Sequence, residues 1–152
     1  ATWVAALSGR VEGAHTLVLR SRWGLQPGAL MSWWMMLPAG VERAAGFVWT
    51  PDRPDVVVRL DAAGPHPTLA GHGTWWVGTD RRHWPTDAAH LGRIEATWHP
   101  DVGDRESRIV FIGEDLPKDT LEQGFIGAVM PEDQRGPWRD VAMTPYPFRG
   151  RQ

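Results

Sequence analysis

Apolar positions in this chain come in short, sharply bounded runs. Arg108 to Ile112 (Arg-Ile-Val-Phe-Ile) is the densest of them and ends on Gly113, which is the signature of a short buried strand. Because it is apolar at every position after Arg108, it reads as a central strand, with Val110 and Ile112 on one buried face and Ile109 and Phe111 on the other. Ala14 to Arg22 alternates, with Thr16, Val18 and Arg20 on one side and Leu17, Leu19 and Ser21 on the other. Gln26-Pro27-Gly28 then opens a helix, Pro27 being suited to its first turn. Leu30, Trp33, Trp34 and Leu37 recur at the spacing of one buried helical face, and Met31, Met35 and Met36 would widen it. Val41 to Thr50 and Asp55 to Leu60 read as two strands joined by the Pro51-Asp52-Arg53-Pro54 turn.

Two further short strands are expected at Thr68–Leu69 and Thr74–Val77, around Gly71 and Gly73. The polar stretch 79–97 holds a short helix near Asp87 to Ala96. Leu121, Gly124, Phe125, Ala128 and Val129 give the second main helix a narrow apolar face. After Pro131 the chain is loop-rich, pinned by Trp138 and Tyr146-Pro147-Phe148. The order β-α-β-β-(β-β)-β-α predicts an α+β fold. In it, a mostly antiparallel sheet carries two main helices on one face, a two-layer sandwich.

Composition narrows the function more than the fold. With 152 residues the chain is read as one domain, 1–152, in which residues 1–19 form an unassigned N-terminal extension and 131–152 the loop-rich tail. Sixteen basic against 18 acidic residues argue against nucleic acid, which needs a concentrated positive field. Lys118 is the only lysine. Arginine's planar fork suits bidentate anion recognition, although a G+C-rich genome explains the bias as simply. The absence of cysteine excludes disulfides, thiolate metal sites and a thiol nucleophile. No apolar run approaches the ~18 residues of a membrane span, and the start lacks a secretory signal, so the expected location is cytoplasmic. Lacking an initial Met, the chain reads as either an excised domain or a standalone protein, with residues 1–19 leaning to the latter.

The stretch Trp98-His99-Pro100-Asp101-Val102-Gly103-Asp104-Arg105, followed by the Arg108 to Gly113 strand, is the most specific motif in the chain. It resembles the C-terminal domain of the CobW family of GTP-dependent metal-handling proteins. Other pieces match in order from about Arg20 to Phe148: Arg20-Ser21-Arg22 ahead of Pro27, Arg43 to Trp49, Ala62-Ala63-Gly64, Gly73-Thr74-Trp75-Trp76 and Tyr146-Pro147-Phe148. Family members carry this domain behind a P-loop GTPase domain. No Gly-x-x-x-x-Gly-Lys-Ser/Thr occurs here, and the family's cysteine-bearing metal motif is missing as well. Ala44-Ala45 before Gly46 replaces a tighter basic–Gly junction.

The resemblance therefore implies a non-enzymatic domain that docks onto a GTPase domain, in cis or in trans, or onto a metal-receiving client in zinc or cobalt homeostasis. The alternative is a standalone protein that binds a small ligand, or a metal weakly, on the sheet face. Arg20, Arg22, Arg43, Trp49, Trp76, Asp104 and Arg105 are the candidate partner-binding residues. No catalytic residue is nominated: the serines lack a glycine elbow, and Asp104 and Arg105 read more simply as a turn cap and its carboxylate-paired neighbour. Of the six histidines, His66 and His72 flank a Pro- and Gly-rich segment that could bring them together. Without thiolates they support at most a weak, exchangeable zinc, and no other cofactor is expected.

Overall fold

The computed structural model describes residues 5–11, 13–64 and 66–143. Its centre is a six-stranded sheet in which all neighbouring strands run antiparallel. The elements are β1 (Ala5–Val11), β2 (Ala14–Ser21), α1 (Pro27–Trp34), β3 (Arg43–Thr50), β4 (Arg53–Ala63), β5 (His66–Thr74), α2 (Ala88–Ala96), β6 (Ser107–Gly113) and α3 (Lys118–Ala128). The strand order is β1-β2-β6-β3-β4-β5, so β6 lies inside the sheet as its apolar run demands. An α+β sandwich is what the sequence pattern leads one to expect. Residues read as an extension supply an edge strand, β1, paired along its length with β2.

Helices α1 and α3 pack on the same face of the sheet. Leu17 and Leu19 of β2, Ile109 and Phe111 of β6, Leu60 of β4 and Leu121 and Phe125 of α3 meet there in one fully buried core. Trp33 of α1 lies against both Phe111 and Phe125, at ring-centroid distances of 6.0 and 5.9 Å. The indole N–H of buried Trp34 donates to the Thr68 carbonyl at 2.9 Å, which satisfies its polar end. At Gly46 the β3 and β6 backbones approach so closely that a Cβ would lie 2.1 Å from the Arg108 carbonyl oxygen, hence the glycine.

Three expectations are corrected. Met31, Met35 and Met36 do not widen the buried face: they are 45%, 43% and 82% exposed. The helix has only two turns, and Leu30, Trp33 and Trp34 already fill its side toward the sheet. Strand β6 is buried on one face only: Ile109 and Phe111 are inaccessible, Val110 is half-buried and Ile112 is 38% exposed. The two short strands around Gly71 and Gly73 are a single strand, β5, that ends at Thr74. Trp75 and Trp76 therefore do not alternate across a strand. Trp75 precedes, and Trp76 opens, a 3-10 turn over Trp76–Gly78. The short helix expected near Asp87 to Ala96 is present as α2, capped by the Asp87 carboxylate, which accepts the His90 N–H at 2.9 Å. The Tyr146-Pro147-Phe148 pin lies outside the described residues.

Candidate functional site

Residues 98–105 form a tight loop closed by reciprocal backbone hydrogen bonds between His99 and Gly103, of 2.8 and 2.7 Å. Gly103 has φ +70°, and a Cβ there would meet Val77 at 2.5 Å, so both conformation and packing require glycine. The next two side chains fasten this loop to its surroundings. Asp104 accepts from the backbone N–H groups of Trp76 and Val77, both at 2.9 Å, and so caps the 3-10 turn. Arg105 is only 5% exposed. Its Nε donates to the Pro54 carbonyl at 2.7 Å, Nη1 to the Val102 carbonyl at 3.2 Å and Nη2 to Asp55 Oδ1 at 3.1 Å. The guanidinium also faces the rings of Trp49 and Trp138 at 5.5 and 5.4 Å. Burial lowers the Arg105 pKa from its ordinary value, and the hydrogen bond and charge of Asp55 oppose that shift. Arg22 adds bonds to the Gly103 and Arg105 carbonyls, both at 3.3 Å.

This fastened loop stands as a wall at one end of the sheet face that α1 and α3 leave uncovered. Between wall and sheet runs a shallow groove of about 460 Å³. Phe47, Val57 and Trp75 supply its apolar surface, and His72, Asp104, Glu106 and Arg108 its polar rim. The strand register lines up Arg20, Arg108, Phe47 and Arg59 as one row across β2, β6, β3 and β4. Arg20 pairs with Glu106 at 3.0 Å and Arg59 reaches Asp61 at 3.9 Å. Phe47, 42% exposed, stacks tilted against His72 at 5.6 Å between ring centroids.

The candidate residues divide by place. Arg20, Arg22, Trp49, Trp76, Asp104 and Arg105 gather around the wall, whereas Arg43 starts β3 near the far end of the sheet, opposite Ala63 and Ile112. Trp49 is fully buried, its indole N–H donating to the Arg22 carbonyl at 3.0 Å, and it has no surface to offer a partner. Arg105 is likewise committed inside the fold. Trp76 is half-buried, edge-on to Trp84 and to His90, each at 5.9 Å. Phe47, Val57 and Arg108, which the sequence reading did not single out, line the groove. Their sequence signal is slight: Arg59-Leu60-Asp61-Ala62 alternates on β4, whereas β3 and β6 carry single arginines, Arg43 and Arg108, ahead of uncharged runs.

His66 and His72 are not brought together. They sit near opposite ends of β5 on its outer face, six residues and so roughly 20 Å apart. No group of three or more His, Asp or Glu side chains suited to hold a metal ion occurs among the described residues. His99 is the histidine whose environment is unusual. Its Nδ1 accepts from the Asp101 N–H at 3.1 Å and its ring lies edge-on to Trp23. Burial depresses its pKa below 6.5, with Asp101 opposing and Arg22 assisting. No helix among the described residues is long and apolar enough to cross a membrane.

Residues 14–129 match the family model of the cobalamin synthesis protein cobW C-terminal domain. A curated relative, the zinc-regulated GTPase metalloprotein activator 1 of Dictyostelium discoideum, is 28% identical over 82 residues, which is 54% of this chain but 17% of that protein. Among solved structures, the Zn(II)-bound YjiA GTPase from E. coli superposes with a TM-score of 0.53 at 15% identity, covering 78% of this chain and 30% of that one. A Zn(II)-bound triple mutant of YjiA superposes equally well. The likeness to these structures is one of fold, and the chain spans under a third of either relative's length.

Proposed function

The chain belongs to the CobW C-terminal domain family, and from that premise we propose that it is a non-catalytic docking domain serving a GTPase in metal homeostasis. Its partner is a GTPase domain, in cis or in trans, or the client that receives zinc or cobalt. One observation carries this reading: α1 and α3 cover a single face of the sheet, and the other face keeps Phe47 and Ile112 exposed among arginines. Exposed apolar side chains ringed by charge are what a recognition surface presents. The groove at its end is shallow and open, a form that suits a protein surface better than an enclosed small-ligand pocket. The name of the curated relative, a zinc-regulated GTPase metalloprotein activator, supports metal homeostasis as the setting.

Calorimetric titration of this chain with the GTPase domain of a family member, supplied as a separate GTP-loaded chain, tests the proposal. Saturable binding is expected, with no GTP turnover by this chain alone above a heat-killed control. Turnover by the pure chain would sink the non-catalytic reading, and absence of binding the docking one.

A further inference from the structure

Charge on the uncovered face is unevenly satisfied. Arg20 and Arg108 are direct cross-strand partners, and Phe47 separates Arg108 from Arg59 in the same row. Like charges placed directly opposite each other destabilise a sheet, so a row of this kind works against folding unless each member is neutralised. Glu106 neutralises Arg20, and also lies 3.9 Å from Arg22; Asp61 neutralises Arg59. The remaining carboxylate of the groove, Asp104, is engaged by two backbone N–H groups. Arg108 is exposed and has no hydrogen bond or ion pair among the described residues, as is also true of Arg43 farther along the face. Beside Arg108 lies the apolar floor of Phe47, Val57 and Trp75, with His72 as a second potential donor.

We propose that this groove seats an acidic segment of a protein partner, in which a carboxylate pairs with Arg108 and a neighbouring aliphatic or aromatic side chain packs on Phe47, Val57 and Trp75. The assignment deepens the docking reading and rests on it. Arginine's fork takes a carboxylate in bidentate fashion, and the adjacent apolar floor excludes water from that pair, so acidic and apolar features must arrive together. Asp104 and Glu106 at the rim repel an anion that enters elsewhere, which fixes the register.

The probe is a twelve-residue peptide of alternating Glu and Leu, with a Gln–Leu twin, titrated into isotope-labelled protein and followed by backbone amide shifts. Shifts confined to Phe47, Val57, His72, Trp75 and Arg108, lost with the Gln–Leu twin and weakened by salt, are expected. Arg108→Glu should weaken both the peptide and the GTPase domain at least tenfold, and Arg108→Gln by less. Lys118→Glu, on α3 across the sheet from the groove, should leave both unchanged. Equal binding of the GTPase domain by wild type and Arg108→Glu, with no peptide shifts at the groove, would overturn this assignment while docking stands. Failure of the wild type to bind either probe would remove both.

Discussion

The two faces of the sheet come from the same strands and have opposite characters. On the helix-covered face, Leu17, Leu19, Leu60, Ile109 and Phe111 are at most 2% exposed. One residue along, the register brings Arg20, Arg108, Phe47 and Arg59 to the other face, where side chains are half-buried or exposed. Because strand side chains alternate, stability and recognition interleave at single-residue spacing. The lesson is that neighbours in sequence should respond to substitution in unlike ways: those facing the helices through folding, those facing outward through binding.

The sharpest test of that contrast pairs two phenylalanines. Phe111→Ala should lower unfolding free energy by roughly 3–5 kcal/mol, because it empties a fully buried site against Trp33 and Trp34. Phe47→Ala should cost under about 1 kcal/mol. Denaturant unfolding of both variants measures the difference, and equal losses would mean that the outer face is core as well.

Arg105 tests whether the loop wall belongs to the folding half or the binding half. Arg105→Ala removes bonds to two carbonyls and to Asp55, as well as the packing on Trp49 and Trp138, and should cost about 2–3 kcal/mol. Arg105→Lys should recover less than half, since a point ammonium cannot span those acceptors. Unchanged stability in the alanine variant would make the wall a peripheral ornament of the sheet.

The wall also carries a pH dependence. The folded pKa of His99 lies below its ordinary value, so the fold favours the neutral ring, whose Nδ1 can accept the Asp101 N–H. Its contribution is complete above about pH 6.5 and is lost as pH falls through the lowered folded value. His99→Gln should therefore flatten the stability profile on the acid side relative to wild type. Identical profiles between about pH 7 and 5 would show the ring to be indifferent to its surroundings.

Smallest of all is the expected effect at the edge strand. Any zinc uptake by this chain should be weak, and His66→Ala with His72→Ala should leave the calorimetric response unchanged, because the strand keeps the two rings roughly 20 Å apart. A tight, stoichiometric response abolished by the double variant would turn the reading toward a metal-binding protein.

Strands β2, β3, β4 and β6 and all three helices could be read from the chain, because their evidence is local: period-two alternation, the 3.6-residue spacing of Leu30 and Trp34 or of Leu121 and Phe125, and the turns between them. The family motif was equally readable, since Asp104 and Arg105 sit at fixed offsets from Gly103. Strand β1 was not, as Ala-Ala-Leu-Ser-Gly-Arg-Val has no alternation of its own and becomes a strand by pairing with β2. Nor could periodicity say that Val110 and Ile112 lack cover, since an all-apolar run has the same pattern whether one face is packed or two. That was decided by where α1 and α3 land. Trp49 and Arg105 were nominated as surface by residue type, and tertiary packing buried them together. Composition and periodicity follow from nearest neighbours along the chain, whereas the exposure of a face and the neutralisation of a charge depend on what distant segments bring to it.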